Sequence, residues 1–478
     1  MKVKQFGIKK YYRITFEIIS PLSIGNGVNE ITDNDIILDS RGLPYIPGSA
    51  LAGVYRSLFE KETSDRYFGK DMTEEMIWEM AKQGKNLLTE SKVIVYDAEI
   101  LNPEKRNVAV YDMVALDEYK VAIPGAKFDF QVLEPGIQFV TYIEQNMDNM
   151  EEEYLTKEIV YAWKMGKIRL GAKTGRGYGQ TKIVKVEDIV FAFSEDCRKQ
   201  SRCDRDCGDW IEFDMYEDSW WKESKENKCL SRVSIEDVQY QELQSLYKEF
   251  EIALCRKEAM EITLSLKQCG GISVRQYSSN INDADYRQMS RKDKEKDKRE
   301  VFIPGTTWAG AFRAQMEKLD PAFAKKELMT ELFFGKVKEK GEDSALSHKT
   351  RVTFSESRVD GGEWRIYTRN SIDRFSGGTI DGALYTEETY FNGKTKLDIS
   401  CDMTGIDKKN IGHFCSVLAA AILDLNYGYM AVGGLTAVGH GLFEVTGIMV
   451  NGNEVPWAEL EGNECYLALR NVMEKSVL

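Results

Sequence analysis

The feature that most constrains this chain is that it says the same thing twice. "YIPGSALAGVYRSLF" (Tyr45 to Phe59) returns as "FIPGTTWAGAFRAQM" (Phe302 to Met316), with Ile46/Ile303, Pro47/Pro304, Gly48/Gly305, Ala52/Ala309, Gly53/Gly310 and Arg56/Arg313 coinciding. Further on, "GAKFDFQVLEPG" (Gly125 to Gly136) is echoed by "GALYTEETYFNG" (Gly382 to Gly393) at the same spacing of 257 positions. Then "GAKTGRGYG" (Gly171 to Gly179) finds "GGLTAVGHG" (Gly433 to Gly441). Three echoes in one order indicate an internal duplication. At 478 residues the chain is too long for one core, so two domains are expected.

Each copy follows one local plan. Tyr12, Ile14, Phe16 and Ile18 alternate in the first, and Ile262, Leu264 and Leu266 in the second; this period of two predicts a half-buried strand. A loop, the Ile-Pro-Gly turn and apolar residues at helical spacing follow, with Ser49 and Thr306 placed to cap the helix. Strand-forming stretches, a Gly-rich loop and a closing strand complete the copy. The fold class predicted is α+β: two tandem ferredoxin-like units joined by a polar linker. The boundaries read are 1–194 for the first domain, 195–250 for the linker, 251–450 for the second domain and 451–478 for a C-terminal tail. The charged run "RKDKEKDKRE" before the second Ile-Pro-Gly turn reads as a solvated loop.

The net charge of −13 argues against a chain that coats nucleic acid indiscriminately, though not against a basic groove on an acidic body. The apolar stretch "FCSVLAAAILDL" is too short to span a bilayer and carries Asp424, so a cytoplasmic protein with no membrane partner is expected. Nine scattered cysteines fit reduced thiols. Cys197, Cys203, Cys207 and Cys229 are the candidate ligands for a structural zinc, against free surface thiols; the missing C-x-x-C pairing favours the thiols.

Three motifs carry chemistry. The first Gly loop sets Gly171, Gly177 and Gly179 beside Lys173 and Arg176, which suits an anion held by backbone N–H groups and flanking cations, and Tyr178 is a candidate base-stacking ring. Its partner, with Gly433, Gly434, Gly439, His440 and Gly441, is less basic. The helix starts at Gly48–Ser49 and Gly305–Thr306 offer N–H groups and a positive dipole end to phosphate, with Arg56 and Arg313 two turns in. The loop before each turn holds paired aspartates, Asp33 with Asp35 and Asp283 with Asp285. Carboxylates beside a phosphate site make sense where a metal or a proton must be handled; solvent-exposed or turn-forming aspartates are the plainer alternative.

The combination resembles the CRISPR RAMP superfamily, specifically the backbone subunits of type III RNA-guided effectors. "IGNG", "TDNDIILDSRGLPYIPGSALAGVYRSL" and the late Gly loop carry the resemblance, and both copies share it. It implies a modified RRM-like fold, with guide CRISPR RNA, target RNA and other effector subunits as partners. It further implies metal-dependent cleavage of the paired target with Mg or Mn, at Asp33 and, by the repeat, Asp283, which would also be the metal ligands; Asp35 and Asp285 are the fallbacks. A non-catalytic subunit that only binds guide RNA and its neighbours is the alternative.

Overall fold

The structure is a computed structural model that describes residues 7–27, 31–70, 82, 91–116, 122–193, 207–221, 230–232, 259–276, 283–293, 298–320, 329–335 and 350–477. It divides into two units: 1–110, 130–172 and 179–256 in the first, and 111–129, 173–178 and 257–478 in the second.

The first repeat runs β1 (Ile8–Ile18), β2 (Tyr45–Ile46), α1 (Gly48–Arg56), α2 (Lys61–Phe68), β3 (Val93–Val95), β4 (Ala98–Ile100), β5 (Val108–Leu116), β6 (Ala122–Leu133), β7 (Gln138–Met147), α3 (Tyr154–Lys164) and β8 (Thr181–Ala192), followed by α4 (Cys207–Glu212) and β9 (Leu230–Arg232). The main sheet has the order β2-β4-β7-β1-β8-β9, with β3 also on β7; β5 and β6 form a separate hairpin. The alternation read in β1 is the observed one: Tyr12, Ile14, Phe16 and Ile18 are buried. They face α1 and α3, where Trp163 packs on Phe16 at 5.0 Å and Tyr55 at 5.7 Å. The Trp163 indole N–H donates to Thr181 Oγ1 at 2.7 Å, tying helix to closing strand.

The second repeat starts with β10 (Ala259–Cys269), β11 (Gly271–Ile272), β12 (Arg275–Gln276), β13 (Tyr286–Gln288), β14 (Ser290–Asp293), β15 (Lys298–Ile303) and α5 (Gly305–Leu319). It continues through α6 (Met329–Phe334), β16 (Val352–Phe354), β17 (Ser357–Asp360), β18 (Glu363–Arg369), β19 (Tyr385–Phe391), β20 (Lys394–Asp402), α7 (Lys408–Asn426), β21 (Leu442–Val450), β22 (Asn453–Val455) and α8 (Asn463–Val477). Its main sheet is β14-β15-β17-β20-β10-β21-β22, with β16 also on β20. In both repeats the first strand lies between the strand preceding the long helix and the closing strand, antiparallel to each. The irregularity between Thr15 and Phe16 recurs between Ser265 and Leu266. The duplication therefore extends to a β-bulge, which re-aims one strand at a defined point.

The doubled Ile-Pro-Gly turn has a packing reason. A Cβ on Gly48 would collide with the Val95 carbonyl oxygen, and one on Gly305 with that of Phe354, the ends of β3 and β16. Each helix starts in direct contact with its neighbouring strand, which only glycine permits. The caps expected from Ser49 and Thr306 do not form: Pro47 and Pro304 hold the N-cap positions, with no side-chain cap, and their fixed φ suits the turn.

Three sequence expectations need correction. The stretch read as a polar linker carries Trp210, Phe213, Met215, Trp220 and Trp221, which pack with Tyr11, Val140, Tyr142, Ile189 and Phe191 on the sheet face away from α1 and α3. The Trp210 N–H donates to the Tyr11 hydroxyl at 2.9 Å. Dense charge around these aromatics hides them from a periodicity reading. The stretch read as a C-terminal tail holds α8, with Cys465, Leu469 and Met473 buried in the second core. The charged run is not a loop throughout: its two arms, β14 and β15, pair antiparallel. The Arg291 guanidinium lies over the Phe302 ring at 4.0 Å, so this charged side chain contributes to packing.

Trp221→Ala should lower the unfolding free energy of the first unit by about 3 kcal/mol or more, the usual cost of truncating a buried tryptophan, read by urea denaturation. A loss under about 1 kcal/mol would show that the aromatic cover adds little to that sheet.

Candidate RNA interface and acidic loops

The two Gly loops have one backbone. Lys173 and Leu435 both sit in the left-handed region, at φ 59° and 57°, ahead of short 3-10 turns at Thr174–Arg176 and Thr436–Val438. Gly177 and Gly439 follow, both at φ 85°. Each loop is tied to the end of its repeat's first strand. Ala172 N–H donates to Ser23 O at 2.8 Å and Gly434 N–H to Ser273 O at 2.7 Å. Gly179 N–H donates to Pro21 O and Gly441 N–H to Gly271 O, both at 2.8 Å. A Cβ on Gly179 or Gly441 would strike the Leu170 or Val432 carbonyl. Gly171 and Gly433 likewise approach the Ser23 and Ser273 carbonyls. The glycines serve close backbone packing.

Within the second unit, the tip of the first loop also meets backbone: a Cβ on Gly177 would collide with Phe354 O, and Gly177 is buried. Arg176 is exposed, and Lys173 is half-buried with its ammonium 5.5 Å from the Phe128 ring centre. Burial lowers the Lys173 pKa, and the charge of Arg176 lowers it further. Tyr178, read as a base-stacking ring, is buried, edge-on to Tyr111 at 6.4 Å. Its counterpart His440 is buried too, edge-on to Phe391 at 5.7 Å, with Nδ1 3.8 Å from Glu387. Neither ring offers a face to solvent for a base to stack on.

At the helix starts the first anion site is already served by the chain. Gly48 N–H donates to Asp97 Oδ1 at 2.7 Å. Ser49 is exposed and Thr306 partly so. Arg56 lies 3.6 Å from Asp65, and Arg313 donates to Glu317 at 3.1 Å on its own helix. The Asp97 cap lies 49 residues from the turn it serves, beyond the reach of a local motif.

The paired aspartates divide into two jobs. Asp35 is buried and accepts from Ile31 N–H at 2.9 Å, Thr32 N–H at 2.9 Å and Thr32 Oγ1 at 2.8 Å. It closes the loop on itself. Asp33, inside that closed turn, is exposed. The loop is also laid on β6: Gln131 N–H donates to Asn34 O at 3.0 Å, and Gln131 Oε1 accepts from Ile36 N–H at 3.2 Å. In the second repeat Asp285 plays the anchoring part. It accepts from Thr386 N–H at 2.6 Å and Thr386 Oγ1 at 3.0 Å, which hold its carboxyl below the usual range. Asp283 is paired by Arg287, which also reaches Glu388 at 3.1 Å. Glu388 stands where the first repeat has Gln131 and is held low chiefly by Arg299.

Among the described residues no group of three or more His, Cys, Asp or Glu side chains is placed to hold a metal. A lone exposed carboxylate still suits Mg²⁺, which commonly takes one or two carboxylates and completes its shell with water and substrate phosphate. Of the four zinc candidates, Cys197, Cys203 and Cys229 lie outside the described residues, and only the backbone of Cys207, in α4, is placed.

The family model for the RAMP superfamily matches residues 15–182 and 284–444, each stretch carrying one Ile-Pro-Gly helix start and one Gly loop; the second begins just after Asp283. The chain belongs to the RAMP superfamily. The two matched regions fall one within each of the copies read in the sequence. No curated protein matches the chain. Among solved structures it is similar to a chain in a cryo-EM structure of type III-B Cmr-beta bound to cognate target RNA, at 21% identity and a TM-score of 0.29, over 38% of this chain and 60% of that one. Among the described residues no helix of this RAMP protein is long and apolar enough to cross a membrane.

Two outcomes follow for stability. Asp35→Ala, which strands three donors, should cost about 1–3 kcal/mol, whereas Asp33→Ala should stay within about 0.5 kcal/mol. Thermal unfolding of both variants checks this, and equal losses would reject the division of labour. Burial lowers the His440 pKa by more than Glu387 raises it. The folded chain therefore keeps His440 neutral where the unfolded chain protonates it, near about pH 6.5. This contribution is complete above that pH and is lost as the pH falls through it. His440→Tyr, the first repeat's residue, should make stability fall less between pH 7 and pH 5 than in the wild type; parallel falls would count against it.

Proposed function

We propose that the chain is a double backbone subunit of a type III CRISPR effector, two ferredoxin-like RAMP domains that hold guide RNA and cut the paired target RNA. The observation that carries the reading is the duplicated acidic loop beside an Ile-Pro-Gly helix start, in a chain whose two repeats both match the RAMP superfamily. The ferredoxin-like assignment is supported in each repeat by a strand–helix–strands–helix–strand order, with the first strand central to an antiparallel sheet. Backbone contacts near the Gly loops, with Arg176, are the guide-holding groups offered.

For cleavage, Asp33 is the residue proposed to work. Asp35 holds the loop shut, so that the Asp33 carboxylate is displayed at a fixed place. A Mg²⁺ or Mn²⁺ ion held there would supply charge neutralisation at the phosphodiester. The carboxylate itself orients that ion or accepts the proton of the attacking 2′-hydroxyl. At the second site Arg287 competes with any ion for the Asp283 carboxylate.

In the assembled complex, with labelled target RNA and Mn²⁺, Asp33→Ala should slow one cut by about a hundredfold or more, with guide and target still bound. Asp283→Ala should remove a separate cut, and Arg287→Gln should speed it. Counting bound Mn²⁺ by electron paramagnetic resonance gives a second readout: Arg287→Gln should gain occupancy that Asp283→Ala lacks. An unchanged ladder in the Asp33/Asp283 double variant would leave the non-cutting scaffold standing.

A further inference from the structure

The second unit carries a five-stranded sheet, β11-β19-β13-β12 with β18 on β19. Its pairing puts Arg275 opposite Gln288, Tyr286 opposite Glu387, Tyr367 opposite Glu387, and Arg369 opposite Tyr385. Paired residues share a face, and so do residues two apart. Arg275, Tyr286, Tyr385, Arg369, Tyr367 and Arg365 therefore lie on one side.

The arginines on that side stack on rings. Arg275 lies over Tyr286 at 4.0 Å, Arg365 over Phe391 at 4.8 Å and Arg369 over Tyr367 at 5.5 Å. Tyr286 and Tyr385 meet edge to face at 5.4 Å. Below them Glu387 is buried. It accepts from Arg369 Nε and Thr389 Oγ1, both at 3.0 Å, which fixes Arg369. The three tyrosines are partly exposed, and Arg275 and Arg365 are exposed. At the Phe391 end the face meets His440 of the second Gly loop. From Tyr385 to Phe391 the strand is about 20 Å long at roughly 3.3 Å per residue. The matching positions of the first repeat, Phe130 and Val132 for Glu387 and Thr389, are apolar and buried.

We propose that this face binds single-stranded RNA, with bases stacked on Tyr286, Tyr367 and Tyr385 and phosphates neutralised by Arg275 and Arg365. Ordered aromatic faces interleaved with guanidinium groups are what sequence-tolerant single-strand binding uses. A protein partner fits less well: two exposed guanidinium groups, Arg275 and Arg365, lie among partly exposed rings. The inference rests on the RNA-binding reading above and adds a surface to it.

The test uses RNA-free full-length chain and a fluorescein-labelled 12-nucleotide uridine RNA, with anisotropy measured across a salt series. Arg275→Gln/Arg365→Gln should weaken binding and make the log–log salt slope shallower by about 1.4, at about 0.7 per lost phosphate contact on a single strand. Tyr286→Ala/Tyr367→Ala should weaken binding about tenfold with the slope unchanged, and Tyr286→Phe/Tyr367→Phe should restore it. Wild-type affinity and slope in both double variants, in folded chains, overturns this face while leaving the RNA-binding reading intact. A wild-type chain that binds no RNA at about 50 mM salt overturns both. Loss of co-purifying protein subunits with RNA affinity unchanged assigns the face to a protein and overturns the proposal.

Discussion

The close backbone contact between each Gly loop and the end of its repeat's first strand is the constraint on which the rest depends. Gly179 to Pro21 and Gly441 to Gly271 are single N–H···O bonds, but they form only where the chain carries no Cβ, because the loop passes against its own entering backbone at Leu170 and Val432. That contact closes the sheet edge where β8 and β21 begin. It lies just past the end of β1 at Ile18, and the loop closed by Asp35 follows from Ile31. In the first repeat Ala172 N–H to Ser23 O and Ile37 N–H to Ile24 O hold the two sides of that segment at 2.8 and 2.9 Å. A displayed Asp33 is thus the outcome of a chain of backbone bonds that begins at glycines far along the sequence.

Much of this was legible because duplication supplies its own control. A lone Gly-x-Gly stretch is a turn until it is met again in the same order, and a lone Ile-Pro-Gly is a helix start of no special meaning. Alternation in β1 and β10 and helical spacing after each turn gave their elements, because one face of each is buried against a core. The aromatic cover from Trp210 to Trp221 was not legible: its rings bury against a sheet supplied by distant residues, so no local period marks them. The pairing of β14 with β15 was hidden for the opposite reason, since its arms are charged and Arg291 packs through its guanidinium.

The candidate site shows where residue type and residue role part company. Four aspartates, two loops and one motif suggested four similar groups. Asp35 and Asp285 are hydrogen-bond acceptors that hold backbone, Asp35 to its own loop and Asp285 to Thr386 of β19. Tyr178 and His440 carry the same lesson, since a position that looks like a stacking platform in a Gly-rich loop is a packing position in both repeats. Anchoring and display are decided by which donors lie nearby, and those donors come partly from strands that the motif does not contain.

The two repeats differ on the hairpin strand that lies behind the acidic loop. In the first, Gln131 meets the loop with a neutral amide that both donates and accepts through its backbone and side chain. In the second, Glu388 takes that position, and a charge so placed requires compensation. Arg299 and Arg287 supply it, with Arg299 also lying over Trp364 at 3.8 Å. Once Arg287 is held there it reaches Asp283 as well. A single neutral-to-acidic difference on one strand is thus enough to draw in two arginines and to change the electrostatic setting of the aspartate. On the opposite side of that sheet, Glu387 and Thr389 in place of Phe130 and Val132 turn an apolar position into the support for Arg369. Both differences lie on the same strand, β19, whose two faces therefore carry the Arg287–Arg299 pair on one side and the support for Arg369 on the other.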